Sequence, residues 1–244
     1  RIFGLLFMTD TLLLGQTLGF SGDPFQAPWQ EVTTHRRDGA VLLRGGQIAE
    51  VGARAALCQA HPGAKIVDYG ADLIVPGFVA AHVHYPPTAI IASWCKRLID
   101  WLNSYTFPEE MRLADPDYAA KIAGRYLDIA LSHGTTTMAS YCTSAPASVT
   151  AYFEAAQARG MRVVGGKTCM DRNAPDGLID TAQSAYDDSK DLIDTWHGRG
   201  RLSYAITPRF SPTSTPEQLA ALGGLWQERP DCLMQTHLSE QTEE

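Results

Sequence analysis

His82 and His84 stand two residues apart in the stretch 78–84, FVAAHVH, an apolar run entered through Pro76-Gly77. On a strand, residues i and i+2 point to the same face. Two imidazoles so placed can converge on one metal ion, and zinc takes His nitrogens at ~2.0–2.1 Å in a tetrahedral shell. Seven His in 244 residues produce ~0.2 His-x-His pairs by chance, so the pair alone also fits two satisfied core histidines. Its position favours a ligand role: it closes a β-type run, the end at which α/β barrels carry their sites. An apolar strand has little other use for two polar rings that each need partners. His237 closes a second apolar run in CLMQTHLSE, residues 232–240. Glu240 follows three residues later, in a loop. A carboxylate there can move protons between an attacking water and a leaving group, although by itself it also reads as a solvated loop acid.

The elements that must position these side chains follow from the pattern. Residues 1–75 hold short β-type runs (RIFGLLF, AVLLRGGQIAEVG, AKIVDYGADLIVP), with Gly45-Gly46 as a hairpin signal and 51–62 as a short helix. This segment reads as a small β-rich module. From residue 76 the pattern becomes strand, loop, helix, repeated. The expected strands are 78–84, 135–142, 162–170, 202–208 and 232–238. The expected helices are 91–103, 116–132, 146–159, 178–197 and 215–229. Asp115-Pro116 and Ser214-Thr215-Pro216-Glu217 supply start signals, and Arg159-Gly160 and Gly198 supply stops. Five such βα units predict parallel strands with helical crossovers, their short apolar runs suited to burial on both faces.

Composition narrows the function classes. The formal net charge is −7 and no basic block is present, which argues against nucleic acid and anionic membranes as partners. No window reaches the 18 apolar residues that a membrane span needs. The opening RIFGLLFMTDTLLLG is interrupted by Asp10 and reads as strand, not signal peptide; the missing initiator Met suggests a trimmed N-terminus. Cysteines 58, 95, 142, 169 and 232 are odd in number and scattered, which fits reduced thiols in a cytoplasmic protein. Cys142 and Cys169 read as core filler, since nothing nearby marks a nucleophile.

PGFVAAHVH resembles the first-strand signature of the metal-dependent amidohydrolase superfamily. WLNSYTFPEE (101–110), HGTTT (133–137), MDRNAPDG (170–177), ITPRF (206–210) and QTHLSE (235–240) resemble, in order, the segments of its guanine deaminase family. The resemblance runs over nearly the whole chain from residue 71. It implies an α/β fold: a metal-dependent-hydrolase TIM-type (β/α)8 barrel, here with about its first five βα units in 76–244, and a small β-sandwich module in 1–75. It implies one zinc ion per chain and hydrolysis of guanine to xanthine and ammonia, in a cytoplasmic homodimer acting on a purine. By matching motif, His82, His84 and His237 would be metal ligands and Glu240 the catalytic proton shuttle. Arg209, Phe210, His84, Pro87 and His237 would line the purine site. An Arg suits a carbonyl and a ring nitrogen, and a Phe offers a stacking face; without the resemblance the two would read as a surface Arg and a core Phe. Trp101, Tyr105 and Phe107 fit either a lid or a packed helix end. Asp171, Arg172, Asn173 and Asp176 fit either a brace for the pocket or a plain polar loop.

The sequence departs from that family pattern twice. Pro87 stands where family members commonly carry a Gln whose amide contacts the purine, and proline offers neither a side-chain donor nor an N–H. The chain also stops at Glu244, ahead of the three βα units that would bring a further His and an Asp to the metal, so it reads as the N-terminal part of such an enzyme. Two alternatives stay open: a related amidohydrolase acting on another aminated or chlorinated heterocycle, and a catalytically incompetent fragment or scaffold.

Overall fold

The computed structural model describes residues 10–240, which form two compact units that divide between Pro76 and Gly77. The expected run at 1–7 lies outside the described residues.

The first unit is a four-stranded sheet in the order β3-β2-β1-β4, with β1 Thr11–Phe20, β2 Thr33–Arg44, β3 Gln47–Ala53 and β4 Lys65–Ile74. The short helix α1, Trp29–Val32, precedes β2, and α2, Arg54–Ala60, follows β3. β1 runs antiparallel to β2 and parallel to β4. The β2–β3 turn uses Gly45 at φ 59° and Gly46 at φ 77°. A two-residue hairpin turn whose twist matches its strands needs positive φ at both central positions, which glycine adopts at no steric cost. Leu12 and Leu14 alternate inward from β1 and pack with Ala40, Leu42 and the α2 residue Leu57.

The second unit carries an all-parallel sheet in the order β5-β6-β7-β9-β10. Its strands are β5 Phe78–His84, β6 Thr135–Tyr141, β7 Arg162–Gly166, β9 Leu202–Pro208 and β10 Leu233–Met234; the two-residue β8, Thr168–Cys169, also pairs with β9. Between β5 and β6 lie α3 Leu98–Trp101, a π-turn Leu102–Thr106, α4 Phe107–Arg112 and α5 Pro116–Ser132. The later crossovers are α6 Pro146–Ala158, α7 Ala182–Trp196 and α8 Pro216–Glu228. The start signals act as the residue types dictate. Asp115 accepts from the Tyr118 N–H at 2.9 Å with Pro116 opening α5, Thr181 and Ser184 cap α7 reciprocally, and Thr215 accepts from the Gln218 N–H. Between sheet and helices lies a core that includes Leu127, Met138, Tyr152, Phe153, Val163, Ile206 and Leu222, all at most 2% exposed. Burying each of the larger side chains stabilises by about 1.5–3 kcal/mol. Gly166 is demanded by packing: a Cβ there would lie 1.8 Å from the Ala205 carbonyl oxygen.

Several expectations need correction. The helix expected at 91–103 is a 3-10 turn at Pro86–Ile90 followed by α3 and the π-turn; Ala92, at φ 67°, interrupts the region. The third strand is broken at Lys167, whose fully buried ammonium turns to both Asp180 carboxylate oxygens at 2.6 Å. The helix expected from 178 starts at 182, because Asp176–Leu178 form a 3-10 turn and Thr181 is the cap. The strand expected at 232–238 pairs regularly only at 233–234. Its neighbour β9 ends in Pro208, which has no N–H to continue the ladder.

Candidate functional site

His82 and His84 lie on β5 and His237 lies three residues beyond β10. One ring nitrogen from each falls within 4.8 Å of the others. The Nε2 atoms of His84 and His237 face each other at 3.0 Å, and the His82 ring centroid is 4.9 Å from that of His237. Tyr141, paired with His84 across the β5–β6 ladder, forms the platform beneath them. Its ring stacks on His84 at 4.6 Å and lies 4.3 Å from His237 and 5.3 Å from His82.

Two hydrogen bonds aim His237. The Arg209 carbonyl accepts its backbone N–H at 2.9 Å and its Nδ1–H at 2.8 Å. A carbonyl only accepts, so the ring proton sits on Nδ1 and the Nε2 lone pair faces His84. Burial, and then the Arg209 cation, hold the His84 pKa well below the usual imidazole value. Burial also lowers His237, against the opposing pull of the Arg209 carbonyl. A metal ligand must be a neutral imidazole with its lone pair turned to the ion, which is how His237 Nε2 is presented. Two nitrogens at ~2.05 Å on a tetrahedral ion stand ~3.4 Å apart, near the observed 3.0 Å contact. The donor set fits zinc.

The histidines floor a cavity of about 280 Å³. Arg209, Phe210, Pro87 and Glu240 join them on its walls; Leu98, Trp101, Leu102 and Thr106 complete it. Every residue that the sequence marked for metal, proton transfer or purine contact therefore borders one space. Arg209 is held by a buried ion pair: its Nη1 donates to Glu110 Oε2 at 2.8 Å, with side chains 4% and 0% exposed. Its guanidinium also lies 5.2 Å from the Phe107 ring centroid.

The open alternatives resolve by residue. Trp101 lines the cavity while its indole N–H donates to Ser93. Phe107 is buried beside Leu102, Met170 and Leu178 as packing, and Tyr105 stays partly exposed. The 171–173 loop braces the neighbouring loop instead of the cavity. Asp171 accepts from the Thr215 N–H at 2.7 Å and from the Thr215 hydroxyl, Arg172 donates to the Ser211 carbonyl, and Asn173 donates to the Pro212 carbonyl. Asp176 sits in the 3-10 turn, away from the cavity walls. Cys142 and Cys169 are buried free thiols; burial pushes Cys142 up and Cys169 up to about 11, which leaves both inert. Sequence reasoning missed Thr106, Glu110 and Tyr141. Only the four-residue spacing of Thr106 and Glu110 inside WLNSYTFPEE could have grouped two of them.

The chain is similar to known proteins over most of its length. The chain is 45% identical over 208 residues to the guanine deaminase of Escherichia coli (strain K12), covering 85% of this chain and 47% of that protein. The crystal structure of guanine deaminase from Bradyrhizobium japonicum superposes with a TM-score of 0.93 at 38% identity, covering 97% of this chain and 51% of that one. Guanine deaminase from C. acetobutylicum, solved with guanine bound in its active site, gives a TM-score of 0.85 at 28% identity over 96% of this chain and 54% of that one. The chain spans about half the length of the curated relatives it matches. Residues 39–64 match an imidazolonepropionase-like composite domain of bacteria. Residues 73–244 match the amidohydrolase family, and the chain, with its α/β amidohydrolase fold, belongs to that family.

Proposed function

We propose that this chain belongs to a zinc-dependent enzyme that hydrolyses guanine to xanthine and ammonia, a step of purine breakdown. The observation that carries the reading is the convergence of His82, His84 and His237 on the floor of a cavity whose walls hold Arg209, Phe210 and Glu240. In this reading the first unit is the composite β-sandwich module. The second is a run of consecutive βα units of a TIM-type (β/α)8 barrel, with the site at the strand C-termini as barrels require. The protein works in the cytoplasm as a homodimer. Free thiols at all five cysteines support that compartment, and among the described residues no helix is long and apolar enough to cross a membrane.

His82, His84 and His237 would hold one zinc ion, which when bound supplies a Lewis acid and lowers the pKa of water towards ~7. The protein's own groups do the rest. Arg209, fixed by Glu110, donates to the purine carbonyl and orients the ring. Phe210 offers a face to the base. Glu240 takes one proton from the attacking water and gives it to the ring nitrogen. It then takes the second from the new hydroxyl on the tetrahedral carbon and gives it to the amine, so that the C–N bond breaks, ammonia leaves and the carbonyl forms. The apolar wall of Leu98, Trp101 and Leu102 excludes bulk water and strengthens each of these interactions.

Pro87 supports a second reading. It gives one wall no donor, and a related aminated or chlorinated heterocycle would not miss that contact. One experiment separates the two: zinc-loaded protein is given guanine and a panel of amino- and chloro-substituted purines and triazines, with release of ammonia or chloride measured. Guanine preferred by kcat/KM is the expected result. A triazine or another purine turned over while guanine is untouched would overturn the guanine assignment.

A further inference from the structure

Thr106 lines the cavity and is 1% exposed, yet its hydroxyl has no hydrogen-bond partner. A buried threonine in a regular helix ordinarily bonds back to the carbonyl four residues earlier. Here that carbonyl belongs to Leu102, at the start of the π-turn, and it accepts from the Phe107 N–H instead. Such turns are frequent at functional sites. The Thr106 hydroxyl is therefore buried at the wall of a binding cavity without the local bond that would satisfy it.

One helical turn later stands Glu110. Its Oε2 takes Arg209, and its Oε1 is buried without a hydrogen-bond partner. The two residues lie four apart and share a helix face. Glu110 and Arg209 cancel each other's charge, so this wall is polar but electrically neutral. It suits an uncharged heterocycle with its own donors and acceptors, and it gives no net attraction to an anion.

From these observations, and resting on the guanine reading above, we propose that Thr106 is a substrate-contacting and specificity-determining residue. Its hydroxyl makes a hydrogen bond to the bound base on the edge that Arg209 orients. A hydroxyl that is unpartnered in the protein alone contributes nothing to folding, so binding and stability move in opposite directions when it is removed.

The test compares Thr106→Val, which keeps the shape, with Thr106→Ser, which keeps the hydroxyl. Steady-state turnover of guanine and thermal unfolding without substrate are measured on the zinc-loaded protein. For Thr106→Val the expected loss in kcat/KM is roughly tenfold, the usual size for one neutral hydrogen bond, carried mainly by KM, with an unfolding midpoint no lower than the parent's. Thr106→Ser should retain most of the parent's kcat/KM. A Thr106→Val protein with parent-like KM overturns the proposal while leaving the guanine reading intact. A lowered midpoint, with KM again unchanged, shows that the hydroxyl is structural and overturns it too. A parent protein that neither binds nor turns over guanine fails the guanine reading itself, and this proposal with it.

Discussion

Glu110→Gln removes one charge from an ion pair whose side chains are 4% and 0% exposed and whose atoms meet at 2.8 Å. With charge centres ~4 Å apart and an effective dielectric of ~20, the lost attraction is about 4 kcal/mol. Breaking one side of a buried pair costs about 3–5 kcal/mol, since the other charge is left without compensation. Glutamine still offers one oxygen to Arg209 Nη1, which places the expected loss near ~3 kcal/mol. For a chain of this size that lowers the unfolding midpoint by about 6–12 °C. The assay is urea and thermal unfolding of parent, Glu110→Gln, Arg209→Met and the double variant, all stripped of metal so that ligand binding does not mask the effect. The double variant should recover most of the stability, because neither charge then remains, while losing guanine binding. Nitrate should stabilise Glu110→Gln more than the parent, because it can occupy the uncovered cation. A loss below ~1 kcal/mol in both single variants, the size of an exposed pair, would refute the view that this is a desolvated pair holding the cavity wall.

The remaining predictions concern the metal, the proton and the loop. His82→Ala should remove most of the zinc found by elemental analysis, and stoichiometric metal in that variant would count against the ligand assignment. Glu240→Gln should keep parent-like zinc while guanine turnover falls roughly 10²–10⁴-fold, the range for loss of general acid–base catalysis; activity within a few-fold of the parent would assign proton transfer to another group. Asp171→Ala frees the Thr215 N–H and hydroxyl at the start of α8. It should cost about 1–2 kcal/mol in denaturant unfolding and raise KM for guanine, because the braced loop adjoins Phe210.

What the sequence revealed of the site was the part that rests on short-range periodicity. His82 and His84 were readable because a strand's period of two puts both on one face, and the helix starts at 116 and 216 because Asp-Pro and Thr-Pro-Glu are local signals. The Glu110–Arg209 pair was not, since its members stand 99 positions apart and no local pattern joins one to the other. The first half of β2, residues 33–38, was missed because THRRD looks like a loop; pairing with Leu18, Gly19 and Phe20 of β1 holds it extended despite its exposure. The π-turn was missed as well: nothing in LNSYT distinguishes it from an α-helical turn, and only the Phe107-to-Leu102 bond reveals the extra residue.

The aim of His237 shows how one backbone feature can decide a site. β10 and β9 pair in parallel through Leu233 with Ala205 and Met234 with Ile206, and the Gln235 N–H still donates to the Ile206 carbonyl. Continued regularly, the His237 N–H would donate to the carbonyl of Pro208. It donates instead to Arg209, one residue further along. Pro208 has no N–H to donate to the ladder at this point, and the pairing slips by one residue there. A one-residue slip sends a side chain to the opposite face, so the register fixes whether the His237 ring meets His84 or turns away. Gln235 anchors the slipped segment through Ser140 and Thr207, and the Arg209 carbonyl takes both the main-chain and the ring N–H of His237. The same residue thus aims a candidate metal ligand with its backbone and a candidate substrate donor with its side chain, so the two are held in one register by a single peptide unit.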